Sequence, residues 1–446
     1  MNDTIAAIAT PFGEGAIALL RLSGARAVEI AAAVFCGKKT AGELPARVAH
    51  FGTIHDGGRK LDEVLLTVFP APASYTGEDV VEIACHGGVL ISRRVLELLL
   101  RNGARSAEPG EFTQRAYLHG KMDLTQAEAV MDLIGAQTDL ALRAATEQLE
   151  GRLGTRLREL RDRIIEVLAH IEAFIDFPDE DIDPATGDAL LAKIDAVRAD
   201  ASALLATARP GRVLREGVRT VICGAPNVGK SSLLNLLLGC ERAIVSARPG
   251  TTRDVIEEVI DLRGIPLRLV DTAGVRESED EVEREGMART RTQIERADLV
   301  LHVVEASGPI ADCGLRIADL ETRTLLVLNK RDLGEHPDWC GVEGVRISCL
   351  KNEGIAQLEE AIVAKILGGD AAHRDWSVAI NARHEAALQT ALRFADAARE
   401  AFTGGLSPEF VAEELRAALN AVGEILGRVD HEEVLGKIFS TFCIGK

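Results

Sequence analysis

In the first part of the chain, apolar residues occur mainly in short runs separated by turn residues. Up to about Gly120, short β-rich runs at 64–68 and 80–83 stand between glycines and prolines, and one helical pattern covers 89–100. Short runs of β-branched residues bounded by turn residues are typical of strands. This pattern predicts an N-terminal α+β domain over residues 1–120.

From about residue 121 the spacing becomes helical. Large apolar residues recur three or four positions apart at Leu149, Leu153, Leu157, Leu160, Ile164, Leu168 and Ile171. After an interruption at 177–184, a second series follows at Leu190, Ile194, Val197, Ala201 and Leu204. A third series lies near the end of the chain at Val411, Leu415, Leu419, Val422 and Leu426. Each series occupies one face of a helix, and two helices alone cannot bury both faces. We therefore predict one helical domain built from residues 121–210 and 375–446.

Between these helical segments, residues 211–372 show a third pattern. Short apolar runs alternate with helical patterns, and the runs lie at 218–223, 267–270, 299–304, 325–328 and 345–347. This alternation is typical of a mostly parallel sheet covered by helices on both faces. The predicted fold class is therefore multidomain α/β, with an N-terminal α+β domain, a discontinuous helical bundle and an α/β domain inserted into that bundle.

The composition narrows the classes of function. The chain has 446 residues, 47% of them hydrophobic, and a net charge of −18. It therefore has enough apolar residues for packed domains and does not coat nucleic acid through bulk charge. No apolar run reaches the ~18 residues that span a bilayer, and the N-terminus lacks the basic start of a secretion signal. The eight cysteines form no CxxC pair, which is typical of reduced thiols without structural zinc. We expect a cytoplasmic protein.

A phosphate-binding motif opens the inserted domain. Residues 224–231 read GAPNVGKS and match GxxxxGK[ST], between a strand pattern and a helical pattern at 232–238. The glycines allow backbone N–H groups and the helix N-terminus to surround phosphates. We expect Lys230 to reach the β- and γ-phosphates and Ser231 to ligate Mg²⁺.

Two further motifs fit a nucleotide triphosphate. Residues 271–274 read DTAG after the next strand pattern, so Asp271 is expected to hold Mg²⁺ through water and Gly274 to donate its N–H to the γ-phosphate. Residues 250–254 read GTTRD, and Thr252 is a candidate second Mg²⁺ ligand on a switch loop.

A fourth motif is expected to recognise the base of the nucleotide. Residues 329–332 read NKRD at the end of a buried strand pattern. Asp332 can accept hydrogen bonds from the N1–H and 2-amino groups of guanine, whereas adenine offers no such pair of donors, so the motif selects GTP over ATP. After the last strand pattern, a backbone N–H in the sequence SCL at 348–350 is expected to contact the guanine carbonyl. The motifs at 224–231, 250–254, 271–274 and 329–332 follow one another in this order along the chain and predict a Ras-like GTP hydrolase.

The complete set of expected GTP contacts comes from these motifs and the loops around them. It comprises Asn227, Val228, Gly229, Lys230, Ser231, Ser232, Ser246, Ala247, Arg248, Pro249, Gly250, Thr251, Thr252, Asp271, Thr272, Ala273, Gly274, Asn329, Lys330, Asp332, Ser348, Cys349 and Leu350.

One position departs from the Ras pattern. The residue after the DxxG glycine is Val275, where Ras-like enzymes carry the glutamine that orients the attacking water. Another group must therefore position water, and another positive charge must stabilise the transition state. The sequence RESEDEVE at 276–283 contains several carboxylates. One of them polarises the water, or the segment is a solvated acidic face.

The GTTRD sequence, an α/β domain inserted into a helical bundle and the ending FCIGK at 442–446 occur together in this chain. Its N-terminal part adds matching segments at 21–24, 75–83, 86–88, 109–112 and 121–128. Over essentially its whole length, the chain thus resembles the MnmE (TrmE) family of tRNA-modification GTPases.

The resemblance implies a folate site in the N-terminal domain, which dimerises in that family. The donor there is 5-formyltetrahydrofolate or a related folate. The matching positions are Arg21, Glu82, Lys121 and Lys446. Basic groups suit the glutamate tail of a folate, and a carboxylate suits the aminopyrimidine edge of the pterin.

The resemblance also implies that the inserted α/β domain at 211–372 is a G domain, and that GTP hydrolysis is activated by K⁺ and by pairing of two G domains. The matching potassium ligands are Asn227, Ser246, Arg248 and Thr251. A monovalent cation there supplies the charge that an arginine supplies in other GTPases. Glu283 matches the water-orienting glutamate, and with Lys230 and Cys443 it completes the catalytic residues that we expect.

The family works with a flavoprotein partner, MnmG, on transfer RNA. Together they are expected to install a (carboxymethyl)aminomethyl group at carbon 5 of the wobble uridine of certain tRNAs, with the partner binding most of the tRNA. Two other functions remain open, a regulatory GTPase and a ribosome-assembly GTPase, both without modification activity. Both leave the N-terminal domain and the FCIGK ending without a role.

Overall fold

The protein is described by a computed structural model. It covers residues 3–176, 187–239, 243–244, 258–270, 293–310, 323–368, 376, 378–427, 438–439, 442–443 and 445. The chain divides into two compact units, one of Met1–Met131 with Gly423–Lys446 and one of Asp132–Val422. The predicted domain boundaries stay predictions.

The first unit contains a seven-stranded sheet with helices. Its elements are β1 (Ile5–Ile8), β2 (Ile17–Ser23), α1 (Ala27–Val34), β3 (Phe35–Gly37), β4 (His50–Asp56), β5 (Arg59–Phe69), β6 (Val80–His86), α2 (Val89–Arg101), β7 (Arg105–Ser106), α3 (Glu111–Leu118) and α4 (Leu124–Gly135). The strand order is β3-β4-β5-β6-β2-β1-β7, antiparallel except for the β1–β7 pair. Apolar residues of α1 and α2 are buried with those of the central strands. The predicted strands at 64–68 and 80–83 and the helix at 89–100 are confirmed within β5, β6 and α2.

Residues from the end of the chain also belong to the first unit. Phe439 and Phe442 are buried in one apolar cluster with Leu124 and Ala127 at the start of α4. Their rings lie 5.3 Å apart between centroids, within the range of favourable aromatic pairs. These contacts attach the C-terminal tail to α4.

The second unit begins with four helices. They are α5 (Asp139–Leu149), α6 (Arg152–Asp176), α7 (Gly187–Leu205) and α8 (Ala208–Glu216). The apolar face predicted from Leu153 to Ile171 is buried along α6, and that from Leu190 to Leu204 is buried along α7. The prediction that Leu149 shares the long helix is wrong. Leu149 ends α5, and Gly151 with φ +90° separates the two helices, because that backbone conformation cannot continue an α-helix.

The α/β part of this unit is a second seven-stranded sheet. Its elements are β8 (Val218–Cys223), α9 (Lys230–Leu238), β9 (Ala243–Ile244), β10 (Glu258–Leu262), β11 (Ile265–Leu269), β12 (Leu299–Glu305), β13 (Thr324–Asn329), β14 (Val345–Arg346) and α10 (Ile355–Leu367). The order is β14-β13-β12-β8-β11-β10-β9. The first five of these strands run parallel and the last two pairings are antiparallel. The prediction of a mostly parallel sheet is confirmed, and β8, β12 and β13 end at one edge of it.

Two long helices follow the sheet along the chain, α11 (Ala382–Thr403) and α12 (Pro408–Leu426). Helix α11 packs against α7, and Arg399 of α11 forms an ion pair with Asp195 of α7 at 2.8 Å. Arg416 of α12 pairs with Glu172 of α6 at 2.7 Å. Helices from before and after the sheet are therefore in contact. Among the described residues, no helix combines the length and the apolar composition needed to cross a bilayer.

Candidate functional site

The loop between β8 and α9 has a backbone that few residues other than glycine can adopt. Gly224, Asn227 and Gly229 have φ values of +146°, +64° and +99°. A Cβ atom at Gly224 would lie 2.0 Å from the carbonyl oxygen of Val303 in β12. The glycines of the motif thus allow positive φ and a close approach to the neighbouring strand.

Helix α9 begins where this loop ends. Lys230 is its first residue, and the hydroxyl residues Ser231 and Ser232 are exposed in its first turn. Lys230 Nζ donates to the carbonyl oxygen of Ala225 at 2.8 Å, and burial lowers the pKa of its ammonium group. Unpaired N–H groups and the helix dipole favour anions at such a terminus. The loop and the lysine together form a site suited to phosphates.

Asn329, the last residue of β13, connects the motifs with one another. It is buried, and its Nδ2 donates to the carbonyl oxygen of Val228 in the phosphate loop at 2.8 Å. Its Oδ1 accepts from the backbone N–H of Cys349 at 3.1 Å. One amide side chain therefore joins the sequences at 224–231, 329–332 and 348–350, and the structure brings these predicted contacts together.

Asp332 is held by a second contact between the motifs. Ser348 Oγ donates to Asp332 Oδ1 at 2.6 Å, and this hydrogen bond keeps the pKa of the Asp332 carboxyl below its usual value. The backbone N–H of Lys351 donates to the same serine oxygen at 3.1 Å. An ionised carboxylate with a fixed orientation is a suitable acceptor for two neighbouring donors on a base. Leu350, next to it, is 86% exposed.

Two residues outside the predicted set, Glu305 and Ser307, also reach this site. Glu305 is the last residue of β12, and its Oε2 accepts from Lys330 Nζ at 2.6 Å. Its Oε1 accepts from Ser307 Oγ at 2.6 Å. The sequence contains one signal for Glu305, because an acidic residue there ends the buried apolar strand β12 at the sheet edge where the motifs lie.

Several predicted site residues lie outside the described residues. They are Ser246, Ala247, Arg248, Pro249, Gly250, Thr251, Thr252, Asp271, Thr272, Ala273, Gly274, Glu283 and Lys446. Their roles stay predictions. Within the described part of the chain, no group of three or more His, Cys, Asp or Glu side chains could hold a metal ion.

The first unit contains the described candidate folate residues. Arg21 of β2 and Glu82 of β6 are register partners, and Arg21 Nη2 lies 2.7 Å from Glu82 Oε1. The guanidinium lies over the rings of Tyr75 and Phe112, at 5.3 and 5.8 Å from their centroids. Lys121 Nζ donates to the carbonyl oxygen of Pro72 at 3.1 Å, in the loop that also carries Tyr75. The pair Arg21–Glu82 thus presents a cation and an anion on one face of the sheet.

Cys443 is exposed in the C-terminal tail of the same unit. Its carbonyl oxygen accepts from the backbone N–H of Gly110 at 3.4 Å. Gly445 has φ +98°, and a Cβ there would lie 2.6 Å from the carbonyl oxygen of Ile8 in β1. The backbone around Cys443 is therefore packed against the start of α3 and the end of β1.

Two family models match the chain. The model described as "GTP-binding protein TrmE N-terminus" matches residues 4–121. The model described as "MnmE helical domain" matches residues 124–443. Together the matches cover both units.

Relatives match over the full length. A protein named tRNA modification GTPase MnmE from Akkermansia muciniphila is 53% identical over 450 residues, covering 99% of each chain. One of the same name from Geobacillus kaustophilus is 47% identical over 459 residues, covering 100% of this chain and 99% of its own. Among solved structures, the FeoB G-domain from Methanococcus jannaschii is 29% identical and covers 33% of this chain and 97% of its own, with a TM-score of 0.25. The similarity to the two full-length relatives extends over both units.

Proposed function

The chain belongs to the MnmE family of tRNA modification GTPases, and from this premise we propose a specific reaction for it. It hydrolyses GTP and, with a flavoprotein partner, installs a (carboxymethyl)aminomethyl group at carbon 5 of the wobble uridine of certain tRNAs. A folate supplies the one-carbon unit. The G domain is inserted into the helical bundle and works in a homodimer in the cytoplasm, where the partner binds most of the tRNA.

The single observation that carries the GTPase part of the proposal is the connection made by Asn329. Its amide bonds both to the phosphate loop, at Val228, and to the backbone N–H of Cys349. Groups suited to phosphates and groups suited to guanine therefore belong to one hydrogen-bonded assembly. In the proposal, Asp332 accepts from guanine and Lys230 binds the phosphates.

Magnesium is the expected metal at the phosphates, with Ser231 and Thr252 as its protein ligands. The exposed hydroxyl of Ser231 in the first turn of α9 fits this role, because Mg²⁺ prefers oxygen ligands together with phosphates and water. When bound, the ion neutralises charge that develops on the transferred phosphoryl group. Lys230 orients the same phosphates from the protein side.

Potassium is the expected second cation, with ligands from Asn227, Ser246, Arg248 and Thr251. The exposed side chain of Asn227, on a backbone with φ +64° in the phosphate loop, fits such a role. When bound, the ion supplies positive charge beside the phosphates. Since Val275 cannot orient water, we assign this role to Glu283.

The folate proposal concerns the first unit. Arg21 and Glu82 form a pair of opposite charge beside Tyr75, and this set fits a ligand with a carboxylate and an aminopyrimidine edge. Lys121 and Lys446 complete the proposed folate site. Cys443 is a candidate catalytic group of the chain. When bound, 5-formyltetrahydrofolate supplies the one-carbon unit.

The decisive experiment is mass spectrometry of tRNA nucleosides from a strain that lacks this protein. The carbon-5 modification of the wobble uridine is expected to be missing. The intact gene is expected to restore it, and a gene encoding Asp271→Ala is not. GTP hydrolysis by the two purified proteins, measured in parallel, tests whether the substitution removes the nucleotide function.

An unchanged nucleoside profile would contradict the modification role. If the intact protein then still hydrolyses GTP, a regulatory GTPase without modification activity replaces the proposed function. A defect in ribosomal subunits with normal tRNA nucleosides would instead favour a ribosome-assembly GTPase.

A further inference from the structure

The side chain of Lys330 is held by an ion pair with Glu305, the last residue of β12. Its Nζ donates to Glu305 Oε2 at 2.6 Å, and the two side chains are 31% and 37% exposed. Lys330 has a positive φ of +63° and precedes the short 3₁₀ helix Arg331–Leu333. Both its backbone and its ammonium group are thus restrained at the end of β13.

Glu305 is itself held in place by three kinds of contact. Ser307 Oγ donates to its second carboxylate oxygen at 2.6 Å. The hydrogen bonds from Lys330 and Ser307 lower the pKa of the Glu305 carboxyl, so it is ionised near neutral pH. Its backbone is paired in register with Asn329, and the next residue, Ala306, donates its N–H to the carbonyl oxygen of Asn329 at 2.8 Å. Glu305 is therefore held through both its side chain and its backbone.

We propose that Glu305 is a positioning residue of the guanine-binding site, which acts by holding Lys330 in its binding conformation before the nucleotide arrives. The inference rests on the proposed GTP binding. A lysine side chain has several rotatable bonds, and ordering it on binding costs conformational entropy. A partner that orders it beforehand improves affinity, because that cost is no longer part of the binding step.

The test measures the affinity of the full-length protein for a fluorescent GDP analogue. Glu305→Gln removes the charge but keeps the size, and it is expected to weaken binding about five- to tenfold. Glu305→Asp keeps the charge and is expected to recover part of the loss. The matched control is Glu335→Gln, because Glu335 forms a comparably exposed pair with Arg346 in the same unit. The control is expected to bind as tightly as the unmodified protein.

A double-mutant cycle with Lys330→Met separates positioning from a general effect on the fold. If Glu305 acts through Lys330, the double variant binds no more weakly than Lys330→Met alone. Additive losses in the double variant would overturn the proposal, and so would a Glu305→Gln variant with unchanged affinity.

Two further results must be distinguished from failure of this inference. One is failure of the proposed GTP binding, and the other is failure of a variant to fold. Failure of the unmodified protein to bind any guanine nucleotide would contradict GTP binding itself. If Glu305→Gln does not fold, judged by its circular dichroism spectrum, Ser307→Ala takes its place. That variant removes one hydrogen bond to Glu305 and is expected to weaken binding about two- to fivefold. Unchanged affinity in a folded Ser307→Ala protein would then overturn the inference.

Discussion

At the scale of single residues, Gly229 combines a positive φ with close packing. Its φ is +99°, and a Cβ atom would lie 2.1 Å from Nδ2 of Asn329. Gly341, in the same unit, has φ +79° and no heavy atom within 4 Å of its Cβ position. A substitution at Gly341 therefore introduces backbone strain alone, whereas one at Gly229 introduces backbone strain and a steric clash.

We expect Gly229→Ala to weaken GDP binding by at least about tenfold. The added methyl group displaces Asn329 from Val228, and a lost buried hydrogen bond costs about 1–3 kcal/mol, where 1.4 kcal/mol is tenfold. Gly341→Ala is expected to cost about 1–2 kcal/mol of stability, through backbone strain, and to leave affinity unchanged. Fluorescence titration and thermal unfolding measure the two effects. Equal affinities in the two variants would contradict this account.

A second residue-scale feature is the buried cation Arg115 in the first unit. Its Nη2 lies 2.8 Å from both Asp3 Oδ1 and Glu111 Oε1, and its Nη1 lies 3.1 Å from Glu78 Oε2. Arg105 binds Glu111 as well, at 2.6 Å. Burial raises the pKa of Glu111, but the hydrogen bonds from Arg105, from the backbone N–H of Glu108 and from Arg115 outweigh it and leave the pKa below its usual value.

This cluster predicts a loss of stability in acid. In the unfolded chain Glu111 takes up its proton near pH 4.3, and in the folded unit only at lower pH. The contribution of ionised Glu111 to the free energy of unfolding is therefore fully present above about pH 4.3, and it is lost as the pH falls through the folded-state pKa. Glu111→Gln is expected to cost about 3–5 kcal/mol at pH 7 and to show less further loss in acid. Denaturant unfolding at pH 7 and pH 3.5 measures both.

The matched control for this prediction is Glu97→Gln on α2. Glu97 forms more exposed and longer ion pairs with Arg93 and Arg94, so its removal is expected to keep the original dependence on pH. Identical pH dependence in Glu111→Gln and in the unmodified protein would show that the buried cluster does not cause the acid sensitivity.

At the scale of elements, the turn between β10 and β11 makes a contact with the helical part of the same unit. Thr138 accepts from the backbone N–H of Ala141 and so caps α5, and its hydroxyl donates to the carbonyl oxygen of Gly264 at 2.7 Å. Arg263, beside that glycine, pairs with Glu359 of α10 at 3.1 Å. Along the chain, these two strands connect the GTTRD sequence to the DTAG sequence. The turn therefore connects the nucleotide-binding sheet to α5.

We expect Thr138→Val to lower the free energy of unfolding by about 1–2 kcal/mol. The variant keeps the shape of the side chain but removes the cap of α5, whose loss costs about 1 kcal/mol, and leaves a carbonyl oxygen without its donor. Thr146→Val in the same helix is the control, because Thr146 is exposed and its hydroxyl donates to Leu142 of the same helix. Denaturant unfolding measures both. Similar losses in the two variants would show that the contact with Gly264 contributes no stability.

Helix α11 shows that the spacing of large apolar residues does not predict every helix. Its buried face is made mainly of alanines, at Ala387, Ala391, Ala395, Ala398 and Ala401. A leucine series such as that of α6 predicts a helix directly, whereas an alanine series gives little contrast with polar positions. Small side chains allow close packing of helices, and only the packed structure shows that this face lies against α7.

At the scale of the whole molecule, hydrolysis is expected to depend on the cation. GTP turnover should fall at least about tenfold when K⁺ is replaced by Na⁺ at equal ionic strength, because charge beside the phosphates is then lost. Asn227→Ala is expected to remove the preference for K⁺. Asn352→Ala is the control, since Asn352 is also an asparagine with positive φ in this unit but lies outside the phosphate loop. Steady-state rates in the two salts test this, and equal rates would contradict a potassium site.

The sequence by itself determined the local features of this protein. The spacing of apolar residues predicted α6, α7 and the parallel strands, since burial of one face imposes a period on the residues that form it. The motifs at 224–231, 271–274 and 329–332 predicted the class of ligand, because each motif is a short stretch whose chemistry depends on neighbouring residues.

Only the tertiary structure decided which distant groups meet. The contacts of Asn329 with Val228 and Cys349, and of Glu305 with Lys330, depend on the order of β8, β12, β13 and β14 in the sheet and on their register. The carboxylate partners of the buried Arg115 come from three separate segments. Local spacing carries no information on such pairings, because each is fixed by the packing of strands and helices that lie far apart in the sequence.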